Sequence, residues 1–200
     1  MASRGVVYIA FGKNAREEAT KSIQSLKRHN NLDVVVVSNK ALGNYNVKTF
    51  DSPGWGARQA KLSIHRLVPW DDVLYLDADT RVKGDLSIGF DILADGWDLI
   101  ITPSEHQNES VLQHVNKEGE RAMTLDMVPS PLQLQGGVFW FNRTRCYHMF
   151  EEWCNEWQRW KNKDQAALLR ALEKEPVRVW LLGRQFNGGN VVEHLFGRAR

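Results

Sequence analysis

Residues 73–87 read VLYLDADTRVKGDLS, and this stretch decides the fold class. The apolar run from Val73 to Leu76 is typical of a β-strand whose two faces are both covered. Asp77 and Asp79 follow it directly and precede a turn that contains glycine. Because residues i and i+2 of an extended chain point to the same face, we expect the two carboxylates to project together. They would lie at the carboxyl end of a buried parallel strand, where open α/β sheets bind their ligands.

The two aspartates indicate a metal site. Carboxylates held this close repel each other unless a cation lies between them. Oxygen-rich sites of this kind suit Mg²⁺ or Mn²⁺ bound together with the phosphates of a ligand. In an arbitrary D-x-D pair the carboxylates more often cap the next turn, but the apolar strand before Asp77 favours the metal site.

Two other aspartate motifs offer alternatives. An EF-hand loop that starts at Asp77 would need glycine at its sixth position and glutamate at its twelfth, where the chain has Val82 and Ile88. This excludes a calcium-binding loop. A phosphatase of the haloacid-dehalogenase type begins D-x-D-x-T/V, with the first aspartate as nucleophile and the second as acid. The fifth position here is Arg81, and this alternative stays open.

Apolar runs and helical patterns alternate along the rest of the chain. Runs of β-branched and aromatic residues predict strands at Val6 to Phe11, Asp33 to Ser38, Val73 to Leu76, Asp98 to Thr102, Val138 to Phe141 and Val177 to Leu182. Apolar residues at helical spacing predict helices at Asn14 to His29, Ala57 to Leu67, Val111 to Met123, Arg145 to Trp160 and Gln165 to Lys174. A helix between the first two strands implies a parallel pair. The sequence therefore predicts a single α/β domain, with a mostly parallel sheet flanked by helices.

Individual residues refine these elements. Asn14 opens an N-x-x-E capping box for the first helix, and Asp164 is placed to cap the last one. The tryptophans of the long helix lie on one face at helical spacing, which favours core packing: Trp153, Trp157 and Trp160.

Length and composition restrict the class of protein. The 200 residues suit one domain, and 42% hydrophobic with 25% charged residues excludes a disordered chain. The formal net charge of +2, with 26 basic against 24 acidic residues, is only weak support for a nucleic-acid surface. The N-terminal apolar run is too short for a secretory signal or for the ~20 residues of a membrane span, so we expect a cytoplasmic protein without a membrane anchor. Cys146 and Cys154 fit neither a redox pair nor a zinc site, and we expect buried free thiols.

Residues 73–86 closely resemble the D-x-D segment of the retaining nucleotide-sugar glycosyltransferases of the GT-A fold, in the family that contains glycogenin and the bacterial lipopolysaccharide galactosyl- and glucosyltransferases. The match extends along the chain. Further segments resemble the motifs of that family in order and spacing: Lys61, sixteen residues before Asp77; Gln135-Gly136-Gly137-Val138; Asp164-Gln165; and His194 to Arg200, which matches H-x-x-G-x-x-K at its His, Gly and basic positions.

The resemblance implies a role for each of these residues. Asp77, Asp79 and His194 would bind Mn²⁺ or Mg²⁺, and Lys61 and Arg200 would bind the diphosphate of the donor. Asp164 and Gln135 would be the polar groups near the donor sugar. The resemblance adds further donor-binding positions, of which the first two would receive the base: Phe11, Gly12, Gly136, Gly137 and Gly197.

The implied activity is metal-dependent transfer of a hexose from a nucleotide-diphosphate sugar, UDP-hexose, to a hydroxyl group with retention of configuration. The donor half would comprise residues 1–103, and the acceptor side with the metal-closing part residues 104–200. The expected acceptor is a glycan or small saccharide. Hydroxymethylated DNA, as in viral enzymes, remains an alternative because 11 basic and 7 acidic residues lie from Arg143 onward. A non-catalytic module that binds nucleotide sugars is a further alternative.

Overall fold

A seven-stranded sheet forms the centre of the computed structural model, which describes residues 2–50, 56–104, 112 and 115–199. Its strands in spatial order are β3 (Asn46–Thr49), β2 (Asp33–Ser38), β1 (Arg4–Ile9), β4 (Asp72–Leu76), β7 (Leu134–Asn142), β6 (Leu99–Pro103) and β8 (Val179–Leu181). All run parallel except β7, which pairs antiparallel with both β4 and β6. The predicted mostly parallel sheet is confirmed.

Helices cover both faces of the sheet. In chain order they are α1 (Lys13–His29), α2 (Gly56–Leu62), α3 (Ile64–Leu67), α4 (Ser87–Ala94), α5 (Glu118–Met127), α6 (Tyr147–Trp160) and α7 (Asp164–Lys174). The core on one face includes α1 and α4, and the core on the other includes α2, α3, α6 and α7. Sheet and helices together form one compact domain.

The strands alternate between two apolar cores. On β1, Val7 and Ile9 pack into one core, while Val6 and Tyr8 pack into the other. Because both faces are buried, the strand reads as a continuous apolar run and not as an alternation of apolar and polar residues. The apolar face predicted for α1 is buried as well: Ala15, Ala19, Ile23 and Leu26.

A second sheet of two short strands brings the end of the chain to the centre. Strand β5 (Thr80–Val82) pairs antiparallel with β9 (Val192–His194), and Thr80 lies opposite His194. Neither strand is predicted from the sequence, because three residues are too few to establish a pattern. This pairing places His194 next to the aspartates that precede β5.

Several predicted boundaries are wrong. The helix predicted over Ala57 to Leu67 is interrupted at Ser63, so that α2 and α3 are separate. Helix α1 begins at Lys13 after Gly12, so Asn14 lies inside the helix and makes no capping box. Helix α5 begins at Glu118, and part of the helix predicted from residue 111 lies outside the described residues.

Two of the three tryptophans of α6 pack in the core as predicted. Trp153 and Trp157 are buried and Trp160 is half-buried. Each of the two buried indoles donates a hydrogen bond to the backbone near the start of α7, Trp153 to the oxygen of Asp164 at 2.8 Å and Trp157 to that of Asn162 at 2.7 Å. The packing therefore fixes the start of α7.

A buried ionic network joins α5, α6 and α7. The guanidinium of Arg170 on α7 is fully buried and lies 2.7 Å from the carboxylate of Glu156 and 3.4 Å from that of Glu120. Each of the three charged side chains is at most 1% exposed. Because removal of one partner would leave a buried charge uncompensated, the network holds the three helices in one arrangement.

Both cysteines are free thiols, but only one is fully buried. Cys146 is buried, and burial raises the pKa of its thiol far above the usual range. Cys154 is half-buried, which corrects the expectation of two buried thiols. Among the described residues, no helix has both the length and the apolarity that a membrane crossing requires.

Candidate active site

The candidate site is a crevice at the carboxyl ends of β1 and β4. The chain leaves β1 towards β2 on one side of the sheet and later returns to β4 on the other side, so the order of the strands switches direction between them. Such switch points are where open α/β sheets bind ligands. The crevice has a volume of about 500 Å³. Ten of the twelve site residues proposed from the sequence line it: Phe11, Lys61, Asp77, Asp79, Gln135, Gly136, Gly137, Asp164, His194 and Gly197.

The two aspartates lie in a turn and not in an extended strand. Strand β4 ends at Leu76, and the backbone N–H of Thr80 donates to the oxygen of Asp77 at 3.2 Å, which closes the turn. The expected i, i+2 alternation therefore does not bring the carboxylates together. The backbone N–H of Gly197 holds the Asp79 carboxylate at 2.9 Å, and the hydroxyl of Tyr75 donates to that of Asp77.

Asp77, Asp79 and His194 form a candidate metal site. Each offers a ligand atom, and these atoms lie within 4.8 Å of one another. The Nε2 atom of His194 is 3.2 Å from an oxygen of Asp79 and 3.7 Å from one of Asp77. When two carboxylates face the lone pair of a neutral imidazole, they repel one another unless a cation lies between them. A set of oxygen and nitrogen ligands suits Mn²⁺. The residues present therefore fit a divalent cation.

The protonation states of the surrounding groups suit this arrangement. Burial alone would raise the pKa of Asp79, but without a cation in the site the hydrogen bond and the charge of a protonated His194 ring outweigh it, so the pKa lies below its usual value. Burial and the neighbouring Asp77 raise the pKa of Tyr75 well above 10. The phenol consequently stays protonated and donates its hydrogen bond to Asp77.

Glycine in β7 allows the site to close up. An ideal Cβ atom at Gly137 would lie 2.3 Å from Cε1 of His194 and 3.0 Å from a carboxylate oxygen of Asp77. The backbone oxygen of Gly137 also accepts a hydrogen bond from the N–H of Asp77 at 2.8 Å. At Gly136 the same construction meets only Nζ of Lys61, at 3.3 Å. The strand therefore passes directly against the metal ligands at position 137.

A cluster of charges joins α2 to α7 beside the metal site. Asp164 is the first residue of α7, and its carboxylate pairs with the guanidinium of Arg58 and lies 3.0 Å from Nζ of Lys61. The predicted capping role of Asp164 is wrong, since the N-cap position is Lys163. Burial would raise the pKa of Asp164, but Lys61 and Arg58 outweigh it and lower the pKa from 3.8 to about 2.

Lys61 also faces the metal site. Its ammonium group lies 4.0 Å from Asp77 and 4.9 Å from the centre of the Tyr75 ring, and the residue is only 8% exposed.

On the other side of Asp164, the side-chain amide of Gln165 donates to Oε1 of Gln135 at 3.0 Å. This contact joins the start of α7 to β7.

The remaining predicted residues differ in position. Phe11 is half-buried at the end of β1, and its ring meets that of Phe50 edge-on at 6.5 Å. Gly12 has a φ of +88° and is the N-cap residue of α1, but it does not line the crevice. Arg200 lies outside the described residues.

Sequence reasoning missed some residues of the site. Arg58 lies one helical turn before Lys61, and Tyr75 lies two residues before Asp77, so both could have been found from their spacing. Gln165 belongs to the quoted D-Q pair, although no role was assigned to it. Asn187, whose Oδ1 lies 2.8 Å from Nδ1 of His194, carries no sequence signal.

Solved glycosyltransferase structures have the same fold. The bifunctional glycosyltransferase WbbM, in its apo form, matches with a TM-score of 0.66 and 21% identity over 90% of this chain and 39% of WbbM. GlyE from Streptococcus pneumoniae TIGR4 matches with a TM-score of 0.60 and 19% identity over 94% of this chain and 47% of GlyE. The galactosyltransferase LgtC, in complex with donor and acceptor sugar analogs, matches with a TM-score of 0.62 and 18% identity over 90% of this chain and 74% of LgtC.

The chain thus has the GT-A glycosyltransferase fold that the sequence predicts. It spans less than half of the length of WbbM and of GlyE. The sequence matches no protein-family model and no curated protein.

Proposed function

We propose that this protein is a metal-dependent glycosyltransferase that moves a hexose from a nucleotide-diphosphate sugar, UDP-hexose, to a hydroxyl group of a saccharide. One observation carries the proposal. Asp77, Asp79 and His194 converge from distant parts of the chain on a crevice that cationic side chains, among them Arg58 and Lys61, also line. Metal ligands beside cations at a sheet edge suit a diphosphate, and the glycosyltransferase fold supports this choice of ligand.

In this proposal Asp77, Asp79 and His194 would hold Mn²⁺, which would supply positive charge to stabilise the leaving diphosphate. The contribution of the chain is to keep the ligand atoms in place. The N–H of Gly197 fixes Asp79, and the ring of His194 stacks on that of Phe196 at 3.9 Å. Preorganised ligands of this kind need no rearrangement when charge develops.

Lys61 is proposed to bind the diphosphate. Its ammonium group lies between Asp164 and Asp77, so its charge is balanced before the donor enters. A charge-assisted contact of this type contributes about 1.5–3 kcal/mol. Arg200 is proposed as a second phosphate-binding residue on the basis of the resemblance, and Phe11 as the face on which the base stacks.

Asp164 and Gln135 are proposed to contact the transferred sugar. With a pKa of about 2, Asp164 is ionised at neutral pH and is therefore suited to accept hydrogen bonds and to stabilise positive charge at the anomeric carbon. The contact with Gln165 holds the amide of Gln135 at the crevice. Retention of configuration follows the resemblance. Residues 1–103 are proposed as the donor half and residues 104–200 as the acceptor side.

A glycan or small saccharide is the proposed acceptor. LgtC was solved with donor and acceptor sugar analogs, and this supports a saccharide acceptor for the present chain. No described feature favours DNA. The glycosyltransferase fold gives no support to the phosphatase alternative.

Calorimetry and product release test the proposal. We expect UDP to bind in the presence of Mn²⁺ and to bind little with a chelator, because without the cation the phosphates face two carboxylates. We also expect release of UDP from at least one member of a panel of UDP-hexoses. Equal binding with Mn²⁺ and with chelator would contradict the assignment of the site.

Charge-removing variants supply the control. In Asp77→Asn and Asp79→Asn we expect loss of Mn²⁺-dependent UDP binding with the thermal unfolding transition retained. Asp33→Asn removes the same charge at an exposed position at the start of β2, at the opposite end of the strands, and should behave as the wild type. Aggregation of both site variants would instead indicate a structural role of the two aspartates.

A further inference from the structure

The side-chain amide of Asn187 contacts both the ring of His194 and the backbone of Gln135. Its Oδ1 lies 2.8 Å from Nδ1 of His194, and its Nδ2 donates to the backbone oxygen of Gln135 at 3.3 Å. The residue is 6% exposed. One buried amide therefore connects the metal-ligating histidine on β9 to the segment of β7 that faces the sugar, and none of the roles proposed above uses it.

The two contacts determine which nitrogen of His194 carries a proton. The backbone oxygen of Gln135 can only accept, so the amide of Asn187 must turn its NH₂ group towards Gln135. The amide oxygen then faces His194, and this oxygen can also only accept. Nδ1 of His194 must therefore carry a proton and donate it to Asn187.

The consequence concerns the other nitrogen. In a neutral imidazole with a proton on Nδ1, the lone pair is on Nε2. Nε2 is the atom of His194 that lies 3.2 Å from Asp79 and 3.7 Å from Asp77. The hydrogen bond to Asn187 thus directs the lone pair to the point where the two carboxylates meet.

The backbone around Asn187 is well anchored. It follows a short 3-10 helix, Arg184–Phe186, in which the ring of Phe186 packs edge-on against Trp140 at 6.1 Å. The N–H groups of Gly188 and Gly189 both donate to the oxygen of Val192, at 2.9 and 3.1 Å. The segment is consequently fastened to the core at one end and to β9 at the other.

We propose that Asn187 is a positioning residue of the metal site, which holds His194 in the tautomer that presents Nε2 to the cation. Partners of this kind orient metal-binding histidines, and their removal typically costs 10- to 100-fold in metal affinity. The inference rests on the proposed function, since it assumes a cation at Asp77, Asp79 and His194.

Nuclear magnetic resonance of the protein saturated with diamagnetic Mg²⁺ and labelled with [¹⁵N]histidine tests the tautomer, because without a cation Nε2 faces the Asp79 carboxylate and would carry the proton itself. A His194→Gln variant assigns the signals. In the wild type we expect the proton on Nδ1. In Asn187→Leu, which preserves size but accepts no hydrogen bond, we expect the Nε2-protonated form to increase. Asn187→Asp restores an acceptor and should restore the wild-type tautomer.

Titration with Mn²⁺ alone tests the consequence for the metal. We expect about 10- to 100-fold weaker binding in Asn187→Leu and near wild-type binding in Asn187→Asp. Asn155→Leu, the same substitution at an exposed position of α6, is the matched control and should bind Mn²⁺ as the wild type. Circular dichroism shows whether each variant is folded.

Two results would overturn the positioning role: Asn187→Leu with unchanged tautomer and Mn²⁺ affinity, or Asn187→Asp as impaired as Asn187→Leu. The second result would mean that Asn187 acts through its packing or through Gln135. A wild-type protein that binds no Mn²⁺ would refute the proposed function instead. The two failures are therefore distinguishable.

Discussion

Two neighbouring glycines of β7, Gly136 and Gly137, differ in how closely the side chains of the site approach them. At Gly137 a methyl group would overlap the ring of His194 and touch Asp77, whereas at Gly136 it would meet only the flexible end of Lys61. A residue packed against a rigid cluster tolerates less added side-chain volume than one that faces a long, flexible side chain. The atoms of the rigid cluster cannot move away without a cost in free energy.

Alanine substitution at these positions makes the difference measurable. In Gly137→Ala we expect displacement of His194, at least about tenfold weaker Mn²⁺ binding and a loss of about 1–3 kcal/mol in the free energy of unfolding. Gly136→Ala, the matched control, should lose less Mn²⁺ affinity and less free energy of unfolding, because the side chain of Lys61 can shift. Titration with Mn²⁺ and unfolding in urea provide the two measurements. Equal Mn²⁺ affinity of the two variants would mean that the backbone does not pass as closely as described.

At the scale of elements, an ionic contact joins α2 to α7 across the crevice. Lys61 and Arg58 on α2 hold the carboxylate of Asp164 at the start of α7. The side chains of Asp164 and Lys61 are largely removed from solvent and that of Arg58 is partly exposed, and the two cations lower the pKa of Asp164 from 3.8 to about 2. The same pair of helices thus shapes the site and contributes to stability.

This contact predicts a particular dependence of stability on pH. Because the pKa is depressed in the folded state, the stabilisation is present above the unfolded value of 3.8 and is lost as the pH falls towards 2. Between pH 6 and pH 3 we expect the free energy of unfolding of the wild type to fall by about 1 kcal/mol more than that of Asp164→Asn, which lacks the titrating group.

Unfolding in urea at several pH values measures this difference. Asp126→Asn, an exposed control on α5, should follow the wild type. Parallel profiles of wild type and Asp164→Asn would show that the ion pair does not couple the two helices in solution.

At the scale of the whole molecule, the crevice lies where the strand order switches direction between β1 and β4, and residues 194–199 contribute to its lining. The 26 basic and 24 acidic residues nearly balance, so the molecule as a whole has little net field to attract a polyanion. The charges in the crevice act at close range, where salt screens them less.

The charge balance predicts how transfer responds to salt. For a neutral saccharide acceptor we expect transfer and acceptor-free hydrolysis of the donor to show the same weak dependence between 50 and 200 mM salt, since both use the same short-range contacts. A duplex acceptor would behave differently, because each neutralised phosphate releases counterions and losses of about 10³-fold or more accumulate over this range. A steep fall of transfer alone, with hydrolysis unchanged, would exclude the neutral acceptor.

Much of the fold could be predicted from the sequence because its signals are local. The apolar runs of β1 and β4 and the helical spacing in α1 and α6 depend on neighbouring residues, and each element exists as predicted. The antiparallel direction of β7 and the short edge strand β3 could not be predicted, because pairing direction depends on how distant segments meet. The D-x-D segment lines the crevice at the end of β4, although its backbone forms a turn and not a strand.

Local sequence patterns are enough to predict the alternation of strands and helices, the two cores and the position of Asp77 and Asp79 at a strand end. The contacts of His194 and Gly197 with Asp79, more than one hundred residues away, and the contact of Asn187 with His194 appear only when the whole chain is folded. The physical reason is that periodicity reports the face of a single element, whereas a site assembled from β4, β7, α2, α7 and β9 depends on distances between elements, and packing of the whole chain sets those distances.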